Sequence, residues 1–388
     1  MKILLITSSF PKEGIIGGMF IPDTVRILES LGASVHVLTQ NCFSTDTYSE
    51  KFNSTFNVTY FGWNGKNIPL VSLLRTKKLT GIFLAIQYFI NGFREGLRVC
   101  RDWKPDIIQA EWLIPAGLLA RLLSSATKTP YCCRALGSDV YQAAGNVFLR
   151  PVIKHVAKNS SLLFADGFDL CNRTSVLAGG KSCHFAATAR HMESKRSDYF
   201  FPDDSNRFTF CCIGRLHPVK GQDVLIKACD ILRRRGISFR CYLAGSGDQK
   251  ENLERLIEKF SLQNDVILTG HLEDGDIMYL LRKADCAVIP SRSESIPMIL
   301  LEAVTAKKPL ILTDVGDMGF LARKYKLGYV VPSEDYNKLA ESLLSMSDQG
   351  TRNAFYDKER YEALASLLSV ESGAKIIYEK IKEINYKT

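Results

Sequence analysis

Short apolar runs alternate with amphipathic stretches along the second half of the chain. The runs predict strands at 208–213, 239–244, 266–269, 286–289, 310–312 and 329–331. Between them, apolar residues recur at helical spacing, for example from Asn252 to Phe260. Strands that alternate with helices in this way predict a parallel sheet covered by helices on both faces.

The first half repeats this pattern less regularly. It predicts a helix from Pro22 to Ser30 and strands at 2–6, 35–39, 107–110, 131–134 and 162–165. The polar, turn-rich segment 201–206 separates the halves, and 388 residues are too many for one ordinary core. We therefore predict an α/β fold with two Rossmann-like, doubly wound parallel-sheet domains, at 1–200 and 201–370, followed by a helix at 371–388.

The segment Ser291–Ala303 carries two carboxylates, Glu294 and Glu302, directly after a predicted strand. Pro297 suits the first turn of a helix, because its missing N–H group costs nothing there. Glu294 would then lie in the loop before the helix, and Glu302 inside the helix. The free backbone N–H groups of residues 295–299 would bind phosphate, and the carboxylates would bind hydroxyls. Such a loop suits a sugar nucleotide.

A second candidate loop follows the predicted strand 208–213. Gly214 and Gly221 permit tight turns on either side of Arg215 and Lys220. In an open parallel sheet, ligands bind at this end of the strands. Two cations at this position would clamp a diphosphate without a metal ion.

Together these segments resemble the family 4 glycosyltransferases (glycosyl transferases group 1), which are retaining enzymes of the two-domain GT-B fold. The resemblance covers roughly residues 208–332 and implies that the final helix crosses back to the first domain. The residues that carry it occur in order: Gly214-Arg215-Leu216, Val219-Lys220-Gly221, Ala244-Gly-Ser-Gly247, Leu268-Thr-Gly-His271, Ala284-Asp285, Pro290-Ser291, Glu294, Glu302-Ala303 and Thr313-Asp-Val-Gly316.

The resemblance implies a role for each site residue. Arg215 and Lys220 would hold the diphosphate, and Glu302 would accept hydrogen bonds from the ribose hydroxyls. Glu294 would contact the transferred sugar and stabilise positive charge at its anomeric carbon, so the catalytic set is Glu294, Arg215 and Lys220. The other implied donor-binding positions are Gly17 and Gly18 of a glycine-rich loop, with Gly245, His271, Leu272, Ser295, Ile296, Pro297 and Met298.

The chain departs from the family pattern at three places. Ser295 and Ile296-Pro297 stand where many members have Gly and Phe-Gly, which we interpret as a variation in donor. Leu136 stands where many members have a His that touches the donor sugar, so one polar contact is lost. Residues 184–200 lack the Asn-Gly-Val-Asp turn that is frequent in the family.

Two carboxylates of the first half are candidates for the acceptor side. Glu111 follows the strand 107–110 and would serve as a general base. Asp139 follows a predicted strand end and would orient its loop, face the acceptor, or simply form a turn.

The pair Asp274-Gly-Asp276 is similar to the Asp-x-Asp metal site of other glycosyltransferases. It directly precedes the predicted helix 277–283, where Asp commonly caps. We therefore predict a helix cap and no metal site. We expect no cofactor either, because a nucleotide sugar is a substrate.

The formal net charge of +9 falls entirely within residues 1–200, because Lys and Arg balance Asp and Glu in the remainder. A basic half suggests an anionic partner or merely a soluble surface.

Residues 79–101 carry an apolar helical face beside three arginines, which indicates either an interfacial membrane helix or a core-packed helix with exposed arginines. The face is formed by Phe83, Ile86, Ile90, Phe93 and Leu97, and the stripe by Arg94, Arg98 and Arg101.

We therefore expect a metal-independent retaining glycosyltransferase that acts in the cytoplasm, peripheral to the inner face of the cell membrane. It would use a UDP- or GDP-sugar, a glycan or lipid-linked glycan acceptor and no nucleic acid, in cell-surface polysaccharide or lipopolysaccharide biosynthesis. Two alternatives remain: a GT-B sugar-nucleotide 2-epimerase, which needs no acceptor, and an inactive binding subunit.

Overall fold

The computed structural model describes residues 1–10, 18–41, 56–65, 70, 78–192, 199, 201 and 206–385. The chain divides into two compact units, the first formed by Met1–Arg190 with Ser369–Thr388 and the second by His191–Leu368. The observed division therefore lies a short way before the predicted boundary at 200–201. The C-terminal residues belong to the first unit.

The described part of the first unit contains the strands β1 (Lys2–Thr7), β2 (Ser34–Asn41), β3 (Asn57–Gly62), β4 (Ile107–Glu111), β5 (Tyr131–Ala135), β6 (Leu162–Ala165) and β7 (Cys183–Phe185). They form one parallel sheet in the order β3-β2-β1-β4-β5-β6-β7. The five predicted strands are confirmed. The two strands that were not predicted, β3 and β7, form the edges of the sheet.

Helices cover both faces of this sheet. They are α1 (Ile21–Ser30), α2 (Lys78–Trp103), α3 (Ala116–Thr127), α4 (Leu149–Asn159), α5 (Phe168–Leu177) and a C-terminal helix (Val370–Asn385), with short π and 3-10 turns at Ser138–Gln142 and Ala143–Gly145.

Successive residues of β1 point to opposite faces and so belong to different cores. Leu5 packs in one buried cluster with Leu28 of α1 and Ile377 of the C-terminal helix. Leu4 packs in another with Tyr88 of α2 and other side chains of α3 and α4. This alternation is what a strand buried on both faces requires.

The second unit is built on the same plan. Its described strands are β8 (Phe208–Ile213), β9 (Phe239–Ala244), β10 (Val266–Gly270), β11 (Cys286–Ile289), β12 (Leu310–Thr313) and β13 (Gly328–Val331). They pair in parallel in the order β10-β9-β8-β11-β12-β13. All six predicted strands are confirmed, and with them the predicted α/β class.

The first five helices of the second unit connect these strands, and the last three follow β13. They are α6 (Gln222–Arg234), α7 (Lys250–Lys259), α8 (Asp274–Lys283), α9 (Met298–Thr305), α10 (Met318–Tyr325), α11 (Tyr336–Ser347), α12 (Gln349–Phe355) and α13 (Lys358–Leu368), with a 3-10 turn at Pro218–Lys220. The apolar face of α6, which includes Val224 and Leu225, packs in one cluster with β8, β9 and β11.

The predicted apolar face of α2 is divided in the structure. Phe83, Ile86 and Ile90 are exposed, whereas Phe93 and Leu97 are partly buried and pack against the core. The first half of the helix therefore fits the interfacial alternative, and the second half fits the core-packed one. Within the described residues, no helix is long and apolar enough to cross a membrane.

Candidate functional site

The loop after β8 lies directly against the loop after β11. The two strands are parallel neighbours, so their carboxyl ends meet at one edge of the sheet. A Cβ atom on Gly221 would lie 2.0 Å from the carbonyl oxygen of Pro290. The N–H group of Arg292 donates to the carbonyl oxygen of Val219 at 2.7 Å. Glycine is therefore required at position 221 for this close approach.

Lys220 and Glu294 form an ion pair between these two loops. The exposed fractions of their side chains are 27% and 16%, so both are shielded but reachable. Ser291 Oγ lies 3.4 Å from Glu294 Oε1, at the long end of a hydrogen bond. The sequence assigned Lys220 and Glu294 to one site, and in the structure the two side chains are in direct contact.

Arg215 lies on the same loop as Lys220 and is exposed. Its carbonyl oxygen accepts a hydrogen bond from Gln222 Nε2 at 3.1 Å, which ties the loop to the start of α6. A Cβ atom on Gly245, which has φ +143°, would lie 2.1 Å from the carbonyl oxygen of Gly214. Glycine is thus needed at position 245 because the backbone of the neighbouring loop lies so close to it.

A third loop, after β12, supports the backbone of Glu294. Gly316 has φ +53°, and a Cβ atom there would lie 2.0 Å from the carbonyl oxygen of Glu294. The Asp317 N–H group donates to the carbonyl oxygen of Ser295 at 3.3 Å. Within the described residues, the buried Oγ of Ser295 has no hydrogen-bond partner. Because an unpaired buried hydroxyl is unusual, Ser295 is a candidate ligand contact.

Helix α9 begins one residue later than the sequence predicted. Pro297 is the N-cap residue, with extended backbone (φ −71°, ψ 142°), so it precedes the first turn rather than forming part of it. Ile296 and Met298 on either side are partly buried. Glu302 lies inside α9 and is 8% exposed.

His271 and Leu272 follow β10 at the edge of the sheet. His271 is exposed, and Leu272 is buried. The carbonyl oxygen of Gly270 accepts the N–H group of Gly245 at 2.7 Å, so this loop adjoins the loop after β9.

The predicted helix cap at Asp274 and Asp276 was wrong. Both residues lie inside the first turn of α8, and the N-cap residue is Glu273, whose side chain makes no capping hydrogen bond. Asp276 is fully buried. Among the residues that the structure describes, no group of three or more His, Cys, Asp or Glu side chains is arranged to hold a metal ion.

Arg292 joins three segments of the second unit, and the sequence did not predict this role. Its guanidinium binds both carboxylate oxygens of Asp223 at 2.8 Å and also pairs with Glu334. It further donates to the carbonyl oxygen of Pro218. Its position between Ser291 and Glu294 was the feature of the sequence that could have indicated this role. Arg292 thereby fixes the loop that carries Glu294 against the loop that carries Lys220.

In the first unit, Glu111 does not suit the predicted role of an acceptor-side base. It is fully buried, and its Oε2 accepts from Arg134 Nε at 2.7 Å. Its Oε1 accepts from Gln109 Nε2 at 2.8 Å. Both oxygens are therefore occupied by internal contacts, and the carboxylate is out of reach of a substrate hydroxyl.

Asp139 orients two loops, which is one of the roles predicted for it. Its Oδ2 accepts from the Leu113 N–H group at 2.8 Å, and its Oδ1 from the Leu136 N–H group at 3.2 Å. The side chain is buried, and burial raises the pKa of its carboxyl to about 6. A carboxylate held in this way does not face an acceptor. The neighbouring Leu136 packs against an apolar cluster.

The glycine-rich loop after β1 is described only from Gly18. A Cβ atom on Gly18, which has φ +76°, would lie 2.0 Å from the carbonyl oxygen of Ser9. The other predicted position in this loop, Gly17, lies outside the described residues.

Comparison with known proteins identifies the class. Two family models match the chain: glycosyl transferase 4-like over residues 19–167 and glycosyl transferases group 1 over residues 194–362. The chain therefore belongs to the family 4 glycosyltransferases of the GT-B fold.

Individual relatives agree with this assignment. The chain is 22% identical to an uncharacterized glycosyltransferase of Methanocaldococcus jannaschii, and the match covers 99% of both chains. It is 24% identical to the putative teichuronic acid biosynthesis glycosyltransferase TuaC of Bacillus subtilis, again over 99% of both chains. The crystal structure of Anabaena HepE in complex with UDP matches with a TM-score of 0.74 at 19% identity, over 99% of this chain and 100% of that one.

Proposed function

We propose that this chain transfers a sugar from a UDP- or GDP-sugar to a glycan or lipid-linked glycan, with retention of anomeric configuration, in cell-surface polysaccharide or lipopolysaccharide biosynthesis. The observation that carries the proposal is the pairing of Lys220 with Glu294 at the carboxyl edge of the second sheet. A cation suited to a diphosphate and a carboxylate suited to a sugar lie in contact there.

The diphosphate would bind to Lys220 and Arg215. Lys220 is paired with a carboxylate, and a diphosphate would offer it a second anion. Arg215 is exposed on the same loop and would supply the second cation. Both charges would stabilise the negative charge that develops on the leaving diphosphate. For this reason we propose that transfer requires neither a metal ion nor a cofactor.

The transfer exchanges one bond for another. The bond between the anomeric carbon and the diphosphate oxygen breaks, and the acceptor oxygen forms a bond to that carbon on the same face. The acceptor proton passes to the leaving diphosphate. Glu294 would stabilise the positive charge that develops on the anomeric carbon, and Glu302 would accept hydrogen bonds from the ribose hydroxyls.

The comparisons support a nucleotide-sugar donor and a surface glycan. Anabaena HepE has been solved with UDP and with UDP-glucose. TuaC carries the name of teichuronic acid biosynthesis, and a matching structure is that of the lipopolysaccharide outer core galactosyltransferase WaaB. UDP is therefore the first nucleotide to test.

The first experiment is thermal unfolding in the presence of UDP, GDP, ADP, CMP or dTDP. A ligand at 100 times its Kd adds about 2.7 kcal/mol to the free energy of unfolding. For a unit of this size, that raises the Tm by roughly 5–11 °C. We expect one nucleotide to give this increase with the wild type and to lose most of it with Lys220→Ala.

Lys338→Ala is the matched control, because Lys338 is an exposed lysine of the same unit outside the candidate site. It should keep the full nucleotide effect. If no nucleotide raises the Tm of the wild type, the donor site is wrong. If a nucleotide binds but its sugar is never transferred to any acceptor, the inactive-subunit alternative is favoured. If the sugar is epimerised without an acceptor, the 2-epimerase alternative is favoured.

A further inference from the structure

Large apolar side chains are exposed along the first half of α2. Leu79 is 85% exposed, and Phe83, Ile86 and Ile90 are exposed by 64%, 52% and 61%. Their spacing of three or four residues places them on one line along the helix. The opposite side of the same helix is anchored in the core by Tyr88. The exposed line is thus a fixed feature of a packed helix.

A second exposed apolar pair lies at the same edge of the sheet. Val147 and Phe148 immediately precede α4 and are 80% and 85% exposed. Helices that connect parallel strands run antiparallel to them, so α2 and α4 both begin at the carboxyl edge of the first sheet. Both helices also pack in the same core cluster, through Tyr88 and Ile153, and so lie on the same face of that sheet.

Positive charge continues the apolar line and follows the apolar pair. Arg94 and Arg101 extend the line of α2 by further steps of four and seven residues and are exposed. From Leu79 to Arg101 the line is about 33 Å long at 1.5 Å per residue. Next to the apolar pair, Arg150 and Lys154 on α4 are exposed.

We propose that this surface binds an anionic lipid bilayer. The docking surface consists of Leu79, Phe83, Ile86, Ile90, Val147 and Phe148, with Arg94, Arg101, Arg150 and Lys154 around it. Apolar side chains beside cations are the combination that an interfacial membrane helix needs. The net charge of +9 within residues 1–200 is complementary to anionic headgroups. A straight line of this length also suits a flat partner.

The docking surface contains none of the residues assigned to the donor. Binding to lipid can therefore be tested whether or not the chain transfers sugar. If both proposals hold, the surface would bring the first unit to an acceptor anchored in the membrane.

The test measures binding of the full chain to vesicles of phosphatidylcholine with and without phosphatidylglycerol. The wild type should bind the vesicles that contain phosphatidylglycerol and should be released by high salt, because screening weakens the charged contacts. The double variant Phe83→Gln, Ile86→Gln should reduce binding by at least about tenfold, since two apolar side chains leave the hydrocarbon. Phe148→Gln should also reduce it.

Val176→Gln is the matched control. Val176 is equally exposed, at 78%, but it lies near the end of α5 and therefore towards the opposite edge of the sheet. It should leave vesicle binding unchanged. The Tm of each variant and its response to UDP should match the wild type, which separates lost docking from lost folding.

Two results would overturn the proposal. One is wild-type protein that stays in solution with both kinds of vesicle. The other is a wild-type dimer, seen by analytical ultracentrifugation, that Phe83→Gln, Ile86→Gln dissociates while vesicle binding is unaffected. In the second case the partner would be another copy of this chain.

Discussion

Gly316→Ala is the substitution that most directly tests the geometry of the candidate donor site. Gly316 has φ +53°, and the added Cβ atom would lie 2.0 Å from the carbonyl oxygen of Glu294 and 2.9 Å from that of Ser295. Real Cβ atoms do not approach oxygen closer than about 3 Å. The peptide between Glu294 and Ser295 must therefore move by about 1 Å, or Gly316 must move away from it.

The cost has two parts. An alanine in the left-handed region costs roughly 1–2 kcal/mol. Forcing the two loops apart adds roughly 1–3 kcal/mol, as overpacking of a close contact does. The sum, about 2–5 kcal/mol, lowers the Tm of a unit of this size by roughly 4–20 °C. The displaced peptide contains the N–H group of Ser295, the first of those expected to bind phosphate, so we also expect nucleotide affinity to fall by about tenfold or more.

Gly236→Ala provides the control for backbone strain. Gly236 has φ +73°, lies in the same unit, and has nothing within 4 Å of the position of an added Cβ atom. It should lower the Tm by only a few degrees, roughly the left-handed cost alone, and leave nucleotide affinity unchanged. Calorimetric unfolding gives the Tm, and isothermal titration with the nucleotide found to bind gives the affinity. Equal affinities of the two variants would refute the assignment of the Glu294 loop to the donor site.

Two further predictions concern single charged groups. Arg292→Ala should lower the free energy of unfolding by about 1–2 kcal/mol, allowing for its partial exposure, and should weaken nucleotide binding. Arg292→Lys should restore binding only in part, because lysine cannot bind Asp223 with two parallel hydrogen bonds. Unchanged nucleotide affinity in Arg292→Ala, measured by titration, would show that the loop does not depend on this anchor. Burial raises the pKa of the Asp139 carboxyl to about 6 from its ordinary value of 3.8. Its contribution to stability is therefore full below the unfolded pKa and is lost as the pH rises through about 6. Relative to Asp139→Asn, the wild type should lose about 1.4 kcal/mol of its free energy of unfolding between about pH 5 and pH 7.5. Urea unfolding followed by Trp fluorescence measures this in the first unit, which holds all three Trp residues. A difference between the two proteins that stays constant with pH would contradict the raised pKa of Asp139.

Strands buried on both faces were predictable, whereas the two edge strands of the first sheet were not. β1 and β8 are apolar along nearly their whole length, because central strands of a parallel sheet are covered on both sides. β3 reads Asn-Val-Thr-Tyr-Phe-Gly and is half-exposed, and β7 has only three partly buried residues. An edge strand pairs on one side only, so its sequence need not be apolar throughout.

The loops of the candidate site were predictable, but several contacts of their side chains were not. Gly214 to Gly221 and Ser291 to Ala303 each have local signals of turn and helix start. The pairing of Arg292 with Asp223, 69 residues away, depends on which strands are neighbours in the sheet. Local sequence patterns do not indicate the order of the strands. For the same reason Glu111 could be placed at a strand end, whereas its burial against Arg134 of the adjacent strand could not be foreseen.

The order of strands explains where the candidate site of the second unit lies. In both sheets the order reverses at one point, between β1 and β4 in the first and between β8 and β11 in the second. Ligands of doubly wound sheets bind in the crevice at that point. In the first unit, the side chains that follow β1 and β4 meet there as aromatic rings, Phe20 and Trp112, with centroids 6.2 Å apart.

The corresponding point of the second unit is polar. The loops after β8 and β11 are held together there by the close approach at Gly221, and Lys220 and Glu294 meet at that point. An ion pair in partial contact with water can exchange partners at small cost, because each charge keeps access to solvent or to a ligand. Two packed aromatic rings offer no such exchange. Among the described residues, the same topology thus places two packed aromatic rings at this point of the first unit and an ion pair at this point of the second. The residue types at the strand ends account for the difference, and they are the reason why we propose anion binding in the second unit.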